Sequence, residues 1–267
     1  MVALFQLGVF NGTFFAPHAT AGACEVYRSV EGVNLVGQCQ GELPQFVAKF
    51  SPTSSSNVAM GASEFPTGSA ARSVFAWIYF LGGGSIYAVQ GYGGGGSGWC
   101  ASGEASELAL NGGDLYFMGC SYDASSSLAV SANGWHQIGY TYSTGSNSIT
   151  FYLDGLSQTG TLPGALNTVI STTYSPFATI GMLSESPNYN IFNGYISNVQ
   201  IYNTSLSQSE VTALYQEGIG GAPIDPTHIV GWWPLNGNAQ DYSGNNNGGT
   251  PTNIAYTSSW TSGYTQP

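Results

Sequence analysis

Asp241-Tyr-Ser-Gly-Asn-Asn-Asn247 gathers one carboxylate and several amide oxygens within a few residues, hard donors of the kind that Ca2+ takes. Asp241, Asn245 and Asn247 would be its ligands. The same residue types are ordinary turn formers, so a plain turn remains open at this point. Glu104 and Glu107 are the acids to consider for glycosidic chemistry, which needs two carboxylates flanking the scissile bond. Three residues apart, they point to opposite faces of a strand, and their Ser/Gly-rich setting reads as solvated loop. Serine, histidine and aspartate for nucleophilic catalysis are all present, but Gly-x-Ser-x-Gly is not. The glycine runs at 82–84, 93–96 and 112–113 lack the Lys-Ser/Thr and the helix of a phosphate cradle, and read as turns.

Cys24, Cys39, Cys100 and Cys120 allow three pairings. None forms CxxC, and His18, His136 and His228 lie near none of them at zinc-finger spacing. Two sequence-local disulfides, Cys24–Cys39 and Cys100–Cys120, are expected in an oxidising compartment, with four buried thiols as the alternative. Asn11-Gly-Thr13 and Asn203-Thr-Ser205 are N-glycosylation acceptors if the chain is exported.

The composition narrows the partners. Only 6% of the 267 residues are charged, and the formal charge of −11 reflects a scarcity of bases, namely Arg28, Lys49 and Arg72. Three cations cannot neutralise a phosphate backbone, so nucleic acid is excluded as a partner, and anionic membrane surfaces are disfavoured. No span reaches the roughly 18 apolar residues of a membrane helix. Met1–Phe10 is apolar but lacks a preceding base and is interrupted by Asn11-Gly12, so it reads poorly as a signal peptide. The sequence is then already mature, or export information lies elsewhere. Hydrophobic residues at 42%, with Gly 38 and Tyr 17, suit one all-β sandwich of short strands and tight turns.

The elements that must position these residues follow from periodicity. Residues 1–22 form an apolar arm in which Val2, Leu4 and Phe10 share one strand face and Phe5, Leu7 and Val9 the other. Such a strand must be covered on both sides. Residues 23–45 read as a disulfide-closed excursion. Strands follow from Phe46, among them Ser73–Phe80, Gly134–Tyr142 and Ser148–Leu153, the last ending in an Asp154-Gly155 hairpin turn. Ser207-Gln-Ser-Glu210 is a capping box for one short helix with Val211, Leu214 and Tyr215 on a single face, ended by Gly218. Gly220–Pro226 reads as a linker, followed by Gly231-Trp-Trp-Pro-Leu235.

Several of these pieces resemble the laminin-G-like jelly roll of the concanavalin A superfamily. They are the Trp135-His136 strand, the Tyr152-Leu-Asp-Gly155 hairpin, the run Phe192–Asn203 and the helix Leu206–Tyr215. Phe46–Ile78 resembles the second and third strands of that family, and Thr227–Asn245 its opening strand and first loop. The resemblance implies an all-β, jelly-roll sandwich with one short helix, its main body at 46–216, a linker at 217–227 and a displaced first strand at 228–260 carrying Trp232, Trp233 and Leu235. It implies that His136 packs on its strand, and that Ca2+ can sit near the loop after the first strand, here Asp241–Asn247. Where the family has an acidic and a basic residue in its closing strand, this chain has Ser197 and Gln200. The Glu-x-Asp-x-x-Glu motif of the laminarinase relatives is absent, so no enzyme activity is expected.

A first strand at the far end of the chain is either a circular permutation or a strand shared with a neighbour. Together with the unexplained arm at 1–22, it leads to the expectation of a structural subunit of an extracellular filament or cell-surface array, joined to copies of itself by a donated terminal strand. The alternative is a carbohydrate-binding or adhesive lectin-like module, supported by calcium, with glycans as partners.

Overall fold

The computed structural model describes residues 43–82, 86–93, 101–170, 178–182 and 190–267, with backbone only at 86–88 and 90. The apolar arm with Val2, Leu4, Phe5, Leu7, Val9 and Phe10, the acceptor Asn11, and Cys24, Cys39 and Cys100 lie outside the described residues.

Alternation builds the first sheet. In β3 (Arg72–Phe80), Val74, Ala76, Ile78 and Phe80 enter the main core while Phe75 and Trp77 join clusters on the opposite face. Both sets are buried, so this strand is covered on two sides. Its neighbours are β8 (Trp135–Tyr142) and β12 (Gly194–Tyr202). The sheet continues through β9 (Ser148–Leu153) and β10 (Leu156–Thr161) on one side and through β1 (Val47–Phe50) and β15 (Ala255–Thr257) on the other. The expected hairpin joins β9 to β10, with Asp154 (φ 50°) and Gly155 (φ 79°) both left-handed, as a two-residue turn of the primed kind requires.

The second sheet runs β14 (Thr250–Thr252), β2 (Asn57–Ala59), β11 (Ala178–Ile180), β4 (Ile86–Gly93), β5 (Ala105–Asn111), β6 (Asp114–Met118) and β7 (Ala124–Ala129). All described strand pairs in both sheets are antiparallel, and the main core lies between the sheets, as expected for an all-β sandwich. Glu107 departs from expectation. It is a fully buried residue of β5, not a solvated loop acid. Room for it comes from the glycine opposite, since a Cβ at Gly91 would lie 2.6 Å from Glu107 Oε1. Glu104 stays partly exposed and accepts from the Ala101 amide (2.8 Å).

The second face of the first sheet is covered by the C-terminal part of the chain. Helix α1 (Gln208–Gln216) begins with the expected capping box between Ser207 and Glu210. It lays Val211 and Leu214 on Phe75, Tyr152 and Tyr202. Trp260 then packs with Val47, Trp77 and Trp135, and is tied down by Trp135 Nε1 donating to its carbonyl (2.8 Å). Among the described residues no helix is long and apolar enough to cross a membrane.

The strand β13 (Ile229–Trp233) pairs with β12 of its own chain. A bulge at Asn198 (φ 50°) lets β12 pair with β1 before it and with β13 after it. Trp233 and Leu235 enter the main core, and Trp232 packs beneath α1. The stretch expected as a linker is held: the Gly221 carbonyl accepts from Asn198 Nδ2 (2.8 Å) and Gln200 Nε2 (3.2 Å), and the Ile224 amide donates to the Tyr202 hydroxyl (3.2 Å).

One charge is buried between the sheets. Arg72 is fully enclosed and makes five hydrogen bonds: Nε and Nη2 to the Ala70 carbonyl, Nη2 to the Gly68 carbonyl, and Nη1 to Tyr92 and Thr168. Its guanidinium also lies over Tyr142 (5.4 Å) and Tyr92 (5.9 Å). Arg72→Met leaves those acceptors unsatisfied, and urea denaturation is expected to show a loss of about 3 kcal/mol or more. Arg72→Lys keeps the charge but not the fork, and is expected to lose nearly as much. A loss below about 1 kcal/mol for Arg72→Met would show that the cluster does not hold the sheets.

Candidate functional site

The side chains that come together with chemical order are Ser131, His136 and Asp154. His136 sits at the start of β8, Asp154 in the β9–β10 turn, and Ser131 in the turn between β7 and β8. His136 Nδ1 is 2.6 Å from Asp154 Oδ2, and His136 Nε2 is 2.7 Å from Ser131 Oγ. An ionised carboxylate can only accept, so Nδ1 donates to it, and in the neutral ring Nε2 is then the acceptor for the serine hydroxyl. The other carboxylate oxygen accepts from the Gln137 amide (2.8 Å), and the Asp154 amide donates to the Gln137 carbonyl (2.9 Å). Two strands and a tight turn therefore fix the acid and the imidazole. The imidazole and carboxylate side chains are 18% and 27% exposed, and Ser131 is exposed. Tyr215 of α1 stands close by; its phenol is pushed up by burial first and by the Asp154 charge second.

His136 does lie on a strand as expected, yet its ring bridges two polar partners. Part of this was readable: Trp135-His136 and Leu153-Asp-Gly155 are the two sides of one hairpin, whose register sets Ile138 opposite Leu153. Ser131 carries no motif. Only the turn Val130–Gly134, in which Asn133 is left-handed (φ 64°), brings its hydroxyl to the ring.

The expected cation loop is built differently. Asp241 Oδ1 accepts from the amides of Trp232 (3.0 Å) and Ser243 (2.9 Å), and Oδ2 from the Asn247 amide (2.8 Å) and the Ser243 hydroxyl (2.9 Å). Asn247 is buried: its Oδ1 accepts from the Ser63 amide (2.6 Å) and its Nδ2 donates to the carbonyls of Ser63 and Val230. Asn245 Nδ2 donates to the Ile229 carbonyl (3.0 Å). The carboxylate thus faces the positive ends of three N–H groups and one O–H. A cation would have to displace them, so the donor set as arranged does not fit Ca2+. Among the described residues, no three His, Cys, Asp or Glu side chains form a metal-holding group.

Ser197 and Gln200 are buried; Ser197 Oγ donates to the Pro234 carbonyl (3.0 Å) and Gln200 belongs to the cluster that holds Gly221. Asn203 is exposed just beyond β12. Cys120 is disulfide-bonded, and its partner lies outside the described residues.

A second arrangement concerns surface aromatics. Across the outer face of the first sheet, the register aligns Lys49, Tyr195, Tyr79 and Trp135. Tyr79 packs edge-on against Tyr195 (5.7 Å) and Trp135 (5.8 Å). Tyr79 and Tyr195 are half-buried and Lys49 is exposed, whereas Trp135 is covered.

No curated protein matches the sequence. Among solved structures, a candidate carbohydrate-binding protein from Bacteroides ovatus superposes with a TM-score of 0.60 at 15% identity, covering 80% of this chain and 60% of its own. Full-length tailspike protein 2 of an Escherichia coli O157:H7 bacteriophage superposes with a TM-score of 0.50 at 13% identity, covering 75% of this chain and 30% of its own. The chain thus spans less than two thirds of the length of either protein. At these identities the likeness is one of fold. Residues 52–212 match the laminin-G-type family model of the concanavalin A-like lectin/glucanases superfamily, and the chain belongs to that superfamily.

Proposed function

We propose that this chain is a carbohydrate-binding, lectin-like module that works outside the cell or at its surface. The observation that carries this reading is the strip Tyr195–Tyr79 beside Lys49, on a sheet face otherwise covered by α1 and the C-terminal segment. Half-buried tyrosines offer a flat apolar ring face with a polar rim, which suits the alternating C–H and O–H surface of a pyranose. Membership in a superfamily described by lectins and glucanases supports the same reading. Lys49, exposed beside the strip, offers an ammonium that can donate to sugar oxygens.

The reading as a filament subunit has less to support it. Its donor strand, residues 1–22, lies outside the described residues. The other terminal strand, β13, is paired within its own sheet, so the place beside β12 calls for no strand from a neighbour. Electron microscopy of the purified chain is expected to show separate particles; regular fibres would restore assembly as the main reading.

On a glycan array, binding to a subset of sugars is expected, with Tyr195→Ala weakening it about tenfold or more. An array without any binding, or binding that survives both Tyr195→Ala and Tyr79→Ala, would remove the strip from consideration. Chelation is expected to leave binding and Tm unchanged, because the Asp241 loop is closed by its own amides. Asp241→Ala is expected to cost about 2 kcal/mol of stability through the donors it orphans. A fall in Tm on adding chelator would reinstate Ca2+ at that loop.

A further inference from the structure

We propose that Ser131 is the nucleophile of an acyl-transfer site, with His136 as its general base and Asp154 as the residue that positions the imidazole. The inference starts from the order of atoms: hydroxyl to Nε2 at 2.7 Å, Nδ1 to carboxylate at 2.6 Å, and the second carboxylate oxygen pinned by the Gln137 amide at 2.8 Å. Both distances lie within reach for proton transfer, and the tautomer that the carboxylate imposes is the one in which Nε2 can take the serine proton. A hydrogen-bonded staple between two strands would need only the carboxylate and the ring. The exposed serine on the remaining nitrogen is surplus to that role.

The serine lies on an exposed turn. Gly134 stands over the reacting pair: a Cβ there would lie 3.3 Å from His136 Nε2 and 3.7 Å from Ser131 Oγ. An oxyanion formed at Ser131 would call on backbone amides of the same exposed turn, such as that of Ala132, directly after the nucleophile. Ser131, Ala132 and Asn133 are all exposed, which favours a short acyl group on a large alcohol over a long chain needing enclosure.

The alcohol is taken from the carbohydrate-binding reading: the substrate class is an O-acylated sugar, and only this choice rests on that reading. Gly263 of the C-terminal segment packs on the serine turn, where its Cβ would lie 3.5 Å from the Gly134 Cα. Ser131 Oγ adds to the acyl carbonyl carbon while its proton passes to His136 Nε2. Collapse breaks the ester C–O bond, and the departing sugar oxygen takes that proton. Water, deprotonated by His136, then adds to the acyl-serine; the carboxylic acid leaves and Ser131 regains its proton.

The test uses the full chain and a small alkyl fluorophosphonate, which needs no sugar. The expected result is a covalent adduct mapped to Ser131, abolished in Ser131→Ala and formed at least about 100-fold more slowly in His136→Gln. Asp154→Asn should slow labelling about tenfold or more, and Asp154→Glu, which keeps a carboxylate for Nδ1, should recover part of the rate. Unlabelled Ser131 in folded protein, or equal labelling in folded His136→Gln, overturns the proposal. Hydrolysis of 4-nitrophenyl acetate and of O-acetylated against de-acetylated glycans then tests the alcohol. Labelling without glycan turnover or binding would leave the nucleophile standing and reject the carbohydrate reading.

Discussion

The outer face of the first sheet carries large aromatic side chains among its polar ones, and much of the architecture follows from covering them. Phe75, Trp77 and Trp135 would otherwise stand in water, at about 25 cal/mol for each Å2 of apolar surface. The chain solves this with residues after Tyr202: α1 covers one part and the segment around Trp260 another. The bulge at Asn198 makes that route possible. It lets β12 serve two partners in succession on one edge and aims Asn198 at the returning backbone. Asn198, Gln200 and Tyr202 then form a buried polar ladder, with the tyrosine hydroxyl on Gln200 Oε1, Gln200 Nε2 on Asn198 Oδ1, and Trp232 Nε1 on the same oxygen. Buried amides are costly unless paired, so the ladder fixes the path of residues 218–224. In most of its family positions the closing strand is thus a structural device here, and the residues at the family's charged positions, Ser197 and Gln200, are spent on it.

The parts of the fold that were legible in the sequence are those set by local chemistry. Asp154-Gly155 demands a left-handed pair, Ser207 and Glu210 cap one another within a single turn, and β3 alternates between two apolar faces. Each can be read from neighbours in the chain. What was not legible depends on residues far apart. Glu107 is buried because Gly91, on another strand, has no side chain. Arg72 is buried because carbonyls at 68 and 70 and hydroxyls at 92 and 168 converge on it. The Asp241 cluster offered the donors of a cation site, but whether its oxygens face a cation or its own amides is decided by the path of the loop. Here the amides have them.

The same division applies to Ser131, His136 and Asp154. The register of the β8–β9 hairpin follows from its turn, so the pairing of imidazole and carboxylate is nearly a local matter. The serine arrives from the preceding turn, with no motif to announce it. That turn is held by distant partners: the Asn133 amide donates to the Phe80 carbonyl (2.8 Å) and the Trp135 amide to the Gly263 carbonyl (3.1 Å). The C-terminal segment that covers the sheet therefore also braces the loop carrying the hydroxyl.

Charge scarcity gives these groups their weight. Of the three basic residues, Arg72 is enclosed and Lys49 stands in solvent. With so few cations, the group that Asp154 meets is the His136 ring, at 2.6 Å. That is the electrostatic circumstance in which a carboxylate helps a histidine act as a base, since it stabilises the imidazolium only as it forms. Had the chain placed a lysine or arginine beside Asp154, the carboxylate would be neutralised beforehand and the ring would gain less from it. A surface low in bases thus permits the hydrogen-bonded chain to be more than a staple.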